Sequence, residues 1–168
     1  MIYAIATMSR ATKTVKSEEE MFAFAADFIE RIKKLKISSR KSAVIIGLTG
    51  ELGAGKTTFV KGVARALGVR ETVTSPTFVI MKMYKLPWRR ANDPASSFQP
   101  PAVKLVHIDA YRLESAEELR ALGWDEIAAD PANLIAIEWA ERIRELLPLG
   151  HRAISFECTG EHKRRVTF

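Results

Sequence analysis

Residues 50–57 read GELGAGKT, and this stretch decides the fold. It fits the pattern G-x-x-x-x-G-K-[S/T] of a phosphate-binding loop, which needs a strand before it and a helix after it. Residues 43–48 form a short apolar run typical of a buried strand. From Lys56 the apolar residues recur at helical spacing as far as Gly68, where a helix end is expected. The loop therefore has the context that a P-loop requires.

The composition of this loop explains how it would bind phosphate. Glycines let successive backbone N–H groups point inward, and the following helix contributes partial positive charge at its N-terminus. Lys56 is expected to reach the β- and γ-phosphates of a nucleoside triphosphate, and the Thr57 hydroxyl to ligate Mg²⁺. The predicted nucleotide-binding residues are Gly50, Glu51, Leu52, Gly53, Ala54, Gly55, Lys56, Thr57 and Thr58.

Two carboxylates follow apolar runs that are typical of buried strands. Asp109 follows residues 103–108, and Glu138 follows residues 134–137. Because ligands bind at the carboxyl ends of parallel strands, both acids are expected beside the P-loop, where they would hold hydrated Mg²⁺ or orient the attacking water. His107 could face the same crevice. A lone strand histidine is more often hydrogen-bonded in the core, so His107 stays outside the predicted catalytic set.

The rest of the chain alternates between helix and strand patterns. Ser17 with Glu20 forms a capping-box pattern, so an amphipathic helix is expected to open the fold, and Ser115 with Glu118 predicts a second, short helix that ends near Gly123. Further predicted elements are a strand at 78–84, a helix at 140–147 and a closing hairpin of 153–158 with 164–168. This order predicts an α/β, three-layer P-loop NTPase fold with a mostly parallel sheet and antiparallel additions.

The length of 168 residues favours one domain over the whole chain, 1–168. Within it, residues 1–14 are interpreted as a flexible N-terminal extension and residues 86–102, rich in Pro and Ser, as a loop insertion. Trp88, Arg89 and Arg90 make that loop either a contact loop or a surface insertion without a binding role.

Composition adds weaker indications. The net charge of +6 favours contact with phosphates or an acidic partner, but much of it lies at 31–41 and 163–165, where a solvated face is the simpler interpretation. The single cysteine, Cys158, excludes an internal disulfide. No run approaches the roughly 18 apolar residues that a membrane span needs, so a soluble cytoplasmic protein without a membrane partner is expected.

Four motifs in fixed order carry a family resemblance: GELGAGKTT at 50–58, SPTF at 75–78, HIDAYRL at 107–113 and IEWAE at 137–141. From about Ser17 to the C-terminus the chain resembles the bacterial tRNA threonylcarbamoyladenosine biosynthesis ATPases, the TsaE family. The P-loop alone would fit many ATPases and kinases, whereas the other three motifs are far more specific.

The resemblance implies a small ATPase that binds and hydrolyses Mg-ATP and works with two partner proteins. Together they attach a threonylcarbamoyl group to an adenosine beside the anticodon of certain tRNAs. ATP turnover would drive or reset that complex, while a partner performs the transfer and tRNA contact is indirect through the complex. Since no internal arginine finger is identifiable, hydrolysis is expected to be slow until partners complete the site.

The resemblance also assigns roles by position. Thr77 would belong to a switch loop that senses the γ-phosphate, Asp109 matches a Walker B-like acid, and Glu138 matches an acid associated with Mg²⁺. The predicted catalytic residues are Lys56, Thr77, Asp109 and Glu138; the predicted metal-site residues are Thr57, Asp109 and Glu138, with ATP and Mg²⁺ as cofactors.

Three residues next to these motif positions could have either a binding role or a structural role. Trp139 would lie near the nucleotide or a partner, or simply pack in the core. Tyr111 and Arg112 would contact a partner or phosphate, or take part in local packing and ion pairing.

Two other functions compete with an ATPase. A small-molecule kinase would need a lid, and its arginine candidates, Arg89 and Arg90, lie in a Pro-rich stretch without helical periodicity. A nucleotide-gated RNA-binding module would rest on the basic tail at 162–165 alone.

Overall fold

The structure, a computed structural model, describes residues 11–34, 41–87 and 104–168. The strands are β1 (Thr12–Val15), β2 (Val44–Thr49), β3 (Met81–Lys85), β4 (Lys104–Asp109), β5 (Asn133–Glu138), β6 (Arg152–Cys158) and β7 (Arg164–Thr167). The helices are α1 (Glu18–Lys34), α2 (Lys56–Ala66), α3 (Ala116–Ala121) and α4 (Trp124–Ala129). Two 3₁₀ helices, Ala110–Arg112 and Ala140–Leu146, follow β4 and β5.

The strands form one sheet in the spatial order β1-β7-β6-β2-β5-β4-β3. The four central strands, β6, β2, β5 and β4, run parallel. At one edge β7 and β1 are antiparallel, and at the other edge β3 is antiparallel to β4. The predicted sheet, parallel in its core with antiparallel additions, is confirmed.

Helices cover both faces of this sheet, which gives the three predicted layers. Alternate residues of a strand point to opposite faces, so β2 and the middle of β5 are apolar on both faces of the sheet. One core packs against α1 and α2 and includes Ile46, Leu48, Leu134 and Ala136. The other packs against α3, α4 and the second 3₁₀ helix and includes Ile45, Val106, Ile135 and Ile137.

The expectation that a helix opens the fold is wrong, because β1 precedes α1 and pairs antiparallel with β7. In the sequence TKTV of β1 only Val15 is buried, so the strand has no apolar alternation to reveal it. Backbone pairing with β7 at the sheet edge stabilises this strand. Residues 1–10, most of the predicted N-terminal extension, lie outside the described residues.

Two other predicted elements differ from the structure. The strand predicted from residue 78 begins at Met81, because Val79 N donates to Pro76 O at 2.8 Å and Ile80 has a positive φ of 64°. The helix predicted at 140–147 is 3₁₀ over Ala140–Leu146, interrupted at Ile143 with φ −123° and ψ 29°. Backbone conformations of this kind leave no trace in hydrophobic periodicity.

The Ser115–Glu118 capping box and the helix end at Gly123 are confirmed, with φ 86° at that glycine. At α1 the Ser17 hydroxyl accepts from Glu20 N as predicted, but the Glu20 carboxylate accepts from Lys16 N instead of Ser17 N. The helix that follows, α4, was not predicted, since six residues are too few to show a helical period.

Residues 88–103 also lie outside the described residues. They include Trp88, Arg89 and Arg90 and nearly all of the predicted loop insertion. Leu86, at the start of that insertion, is buried against the α1–α2 core. In the described part of the chain, no helix is both long enough and apolar enough to cross a membrane.

Candidate active site

The carboxyl ends of β2, β4 and β5 meet at one edge of the sheet. Glu138, the last residue of β5, is in register with Leu48 of β2 on one side and with Asp109 of β4 on the other. The glycine loop leaves β2 at this same edge and leads into α2. The parallel register therefore places both acids beside the loop.

Glycines determine the path of the loop. Gly50, Gly53 and Gly55 have φ values of 135°, 76° and 102°, a region that side-chain-bearing residues rarely adopt. A Cβ atom on Gly50 would lie 2.3 Å from the Phe156 carbonyl oxygen, so the loop also passes too close to β6 for any other residue. No side chain caps the N-terminus of α2, and its N–H groups remain free to bind an anion.

Lys56, the first residue of α2, is a buried cation at the centre of the site, with 4% of its surface exposed. Its Nζ atom donates to the carbonyl oxygens of Gly50 at 2.5 Å and Glu51 at 2.9 Å. Burial lowers the pKa of Lys56, against the opposing charges of Glu138, Glu141 and Asp109. A charge held at this depth interacts strongly with any anion that enters the loop.

The lowered pKa of Lys56 predicts a pH dependence that Lys56→Met should remove. Between the folded-state pKa and the ordinary value of 10.5, the unfolded chain binds more protons than the folded one. The free energy of unfolding of the natural protein, relative to Lys56→Met, should therefore rise as pH increases from 7 towards 10.

Denaturant unfolding at several pH values measures this difference. Lys61→Met, at an exposed position of the same helix, controls for the loss of one positive charge. A difference that is flat or falls with pH would show that burial does not disfavour the Lys56 ammonium.

Trp139 lies directly against this lysine. The Nζ atom of Lys56 is 4.0 Å from the centroid of the indole ring, within the range of a cation–π interaction. Trp139 has a φ of 58°, which is unusual for a bulky residue and typical of strained functional sites. Of the two interpretations offered by the sequence, the structure shows Trp139 facing the P-loop lysine.

The Glu138 carboxylate is 3% exposed and links three elements. The Thr57 hydroxyl donates to its two oxygens, at 2.8 and 2.9 Å, and His107 Nε2 lies 2.8 Å from Oε1. Because the Thr57 proton points at Glu138, the lone pairs of the Thr57 oxygen remain available for a cation.

This donor set fits Mg²⁺, which takes oxygen ligands, keeps several waters and uses only one or two carboxylates. Thr57, Glu138 and Asp109 supply a hydroxyl and two carboxylates at one sheet edge. The described residues contain no cluster of three or more His, Cys, Asp or Glu side chains suited to a metal. A metal that prefers several cysteine or histidine ligands therefore has no suitable cluster in this part of the chain.

Asp109 is bonded to the SPTF segment that precedes β3. The Thr77 hydroxyl donates to Oδ2 of Asp109, and the Ser75 hydroxyl lies 3.4 Å from the same oxygen. The backbone N–H of Tyr111 donates to Oδ1 at 3.0 Å. Ser75 was not among the predicted site residues, although the SPTF motif that contains it was noted.

These residues enclose a cleft of about 350 Å³. Every predicted site residue lines it except Gly50 and Glu51, whose carbonyl oxygens accept from Lys56. Three further lining residues are outside the predicted catalytic, nucleotide-binding and metal sets: Ser75, Tyr111 and Trp139. His107, left outside the predicted catalytic set, is fully buried, as expected, yet it contacts the site through Glu138.

Tyr111 and Arg112 make local contacts. The Tyr111 ring lies 5.0 Å from that of Trp139, and the Arg112 guanidinium is 4.7 Å from the centroid of Phe78. Phe78 is 84% exposed at the end of the SPTF segment. Both residues thus pack locally, as one of their two interpretations expected.

A parallel sheet with a glycine loop after β2, and acids at the ends of the adjoining strands, defines a protein of the P-loop NTPase fold. The crystal structure of YdiB from Bacillus subtilis has a similar fold, with a TM-score of 0.63 and 28% identity over 95% of this chain and 84% of that one. The family model described as threonylcarbamoyl adenosine biosynthesis protein TsaE matches residues 15–166. The chain belongs to the TsaE family.

Curated relatives agree with this assignment. The tRNA threonylcarbamoyladenosine biosynthesis protein TsaE of Bacillus subtilis (strain 168) is 38% identical over 82% of this chain and 76% of its own length. The protein of the same name from Rickettsia conorii is 36% identical over 90% of this chain and 73% of its own length. The resemblance that the four motifs indicated is confirmed.

Proposed function

We propose that this protein hydrolyses Mg-ATP as a switch in the formation of N6-threonylcarbamoyladenosine in tRNA. The observation that carries the proposal is the bond from the Thr57 hydroxyl to Glu138, which joins the P-loop to the end of a neighbouring strand. This arrangement holds a hydroxyl oxygen and a carboxylate ready for Mg²⁺ beside a buried lysine. The relatives named above support the tRNA-modification role.

The P-loop would hold the phosphates of ATP. Backbone N–H groups of residues 53–58 and the N-terminus of α2 would bind phosphate oxygens. Lys56 would exchange its bonds to the carbonyl oxygens of Gly50 and Glu51 for bonds to the β- and γ-phosphates. Since those carbonyls already orient the ammonium near the loop, only a short movement of the side chain is needed.

Thr57 and Glu138 would hold the Mg²⁺ ion, with Asp109 beside them at the same edge. When bound, Mg²⁺ neutralises charge that develops on the phosphate oxygens. Asp109 and Glu138 are both suitably placed to accept a hydrogen bond from the attacking water, because each ends a strand that borders the cleft.

Thr77 would couple the nucleotide to the protein surface. Its hydroxyl is bonded to Asp109 inside the cleft, while the next residue, Phe78, is largely exposed. A γ-phosphate that attracts Thr77 would move the SPTF segment and with it Phe78, as nucleotide-sensing loops do in other P-loop proteins. The segment could then report the state of the nucleotide to a partner.

Hydrolysis by the isolated protein should be slow. No arginine is among the described residues that line the cleft, and Arg164 contacts the P-loop only through the Gly53 carbonyl oxygen, so the charge of an arginine finger is expected to come from elsewhere. The two other proteins of the threonylcarbamoyl-transfer complex are the proposed source of stimulation, with tRNA acting through that complex.

Phosphate release from ATP, measured with and without the two partner proteins and tRNA, tests the proposal. Slow release that rises severalfold with partners is expected. Fast turnover by the isolated protein, with phosphate transferred to a metabolite instead of water, would contradict it in favour of a small-molecule kinase. RNA binding without any hydrolysis would favour the RNA-binding alternative.

A further inference from the structure

We propose that His107 is a positioning residue, which fixes the Glu138 carboxylate in the orientation that faces Thr57 and a bound Mg²⁺. This inference rests on the metal site of the proposed function. It concerns a side chain that the strand pattern alone favoured as an ordinary core residue.

The sheet places His107 and Glu138 side by side. His107 of β4 is in register with Ala136 of β5, two residues before Glu138. Residues two apart on a strand share a face, and Ala136 belongs to the core that packs against α1 and α2. His107 and Glu138 therefore project towards the helix that carries Thr57, and the Nε2–Oε1 distance is 2.8 Å.

The hydrogen bonds of the His107 ring indicate that core packing alone does not explain why a histidine occupies this position. As the neighbour of a carboxylate, Nε2 carries the proton and donates to Glu138. Nδ1 is buried and has no hydrogen-bond partner within the described residues. Leaving a buried polar atom unpaired is unfavourable, and an apolar side chain of similar size would avoid it. The bond to Glu138 is the contact that an apolar residue would lack.

That bond restricts the carboxylate. Oε1 of Glu138 accepts from both Thr57 and His107, whereas Oε2 accepts from Thr57. Without the imidazole, Thr57 would be the one remaining side-chain partner of the Glu138 carboxylate among the described residues, and its oxygen is also needed by the cation. Groups that orient a metal-binding side chain in this way typically change metal affinity about 10- to 100-fold when removed.

The test is calorimetric binding of ADP to the full-length protein at increasing MgCl₂ concentrations. His107→Leu should raise the Mg²⁺ concentration for half-maximal enhancement of ADP binding by about 10- to 100-fold. Affinity for ADP without Mg²⁺ should be unchanged, because His107 does not line the phosphate loop. His107→Gln, which keeps an N–H donor, should restore much of the Mg²⁺ response.

Asn133→Leu is a matched control. Asn133 is another buried polar residue in the sheet, and its Oδ1 has no hydrogen-bond partner in the part of the chain that the structure describes; it begins β5 at the opposite end from Glu138. Its replacement disturbs the sheet interior without reaching the site. The Mg²⁺ response of Asn133→Leu should match that of the natural protein.

An unchanged Mg²⁺ response in a folded His107→Leu protein would overturn the inference and leave the proposed function standing. ADP binding by the natural protein that does not respond to Mg²⁺ would instead overturn the proposed metal site, and the inference with it. Nitrogen-15 NMR of the natural protein provides a test without any variant. A proton on Nε2, protected from exchange, is expected, and a proton on Nδ1 would overturn the proposal.

Discussion

Lys56→Ala should reduce the rate of ATP hydrolysis by about 100- to 1,000-fold, the cost typical of removing one group that stabilises charge in a transition state. Lys56 is the buried ammonium of the loop, 4% exposed and hydrogen-bonded to the carbonyl oxygens of Gly50 and Glu51. In the proposed mechanism its removal would leave the β- and γ-phosphates of ATP without a direct positive charge. The rate of phosphate release under saturating Mg-ATP, with partners present, measures the loss.

Lys61→Ala provides the matched control for Lys56→Ala. Lys61 lies on α2 as well, but it is exposed and absent from the cleft. Its replacement removes the same charge from the protein and should leave hydrolysis unchanged. The Lys56 variant should still fold, because it removes a desolvated charge without disturbing the apolar core. Full hydrolytic activity in folded Lys56→Ala would refute the role of Lys56.

Glu138→Ala should reduce ATP hydrolysis by about 100-fold or more, chiefly through the loss of Mg²⁺. The carboxylate accepts one hydrogen bond from Thr57, shared between its two oxygens, and one from His107, so its removal frees the Thr57 hydroxyl from its fixed orientation. Compared with the natural protein, Glu138→Ala should therefore need a much higher Mg²⁺ concentration for hydrolysis and should have a lower maximal rate. Initial rates over a range of MgCl₂ concentrations would separate the two effects.

Two comparisons make the Glu138 result specific. Glu145→Ala, at an exposed position in the 3₁₀ helix after β5, removes one carboxylate away from the cleft and should have no effect. Thr57→Val combined with Glu138→Ala should cost less than the sum of the two single changes, because both act on one metal site. Additive losses, or normal Mg²⁺ dependence in Glu138→Ala, would show that the two residues do not share this role.

The prediction of the central fold from sequence depended on patterns that are local in the chain. The buried strand before the loop, the glycines and the helical spacing after Lys56 all lie within 26 residues, 43–68. The acids Asp109 and Glu138 could be placed near the loop because parallel strands end at a common edge, which is a general property of such sheets. The strand order itself then brought them into register with each other.

Other features depended on contacts that no local pattern contains. The TKTV strand exists because β7 offers it an edge, and the 3₁₀ geometry after β5 depends on how that segment packs over the sheet. The SPTF segment turns at Pro76, and β3 begins only at Met81. The apolar residues from position 78 therefore predict a strand that is longer than the one observed. Tertiary packing overrides propensity at such sites.

By itself the sequence determined the P-loop, the alternation of strands and helices around it, the two acids and the family. Only the tertiary structure decided what surrounds those groups: Trp139 against Lys56, Thr77 against Asp109, and His107 against Glu138. The physical reason is that glycine spacing and apolar periodicity are properties of neighbouring residues. A hydrogen bond between two strands depends on their register, which is set by the packing of the whole sheet.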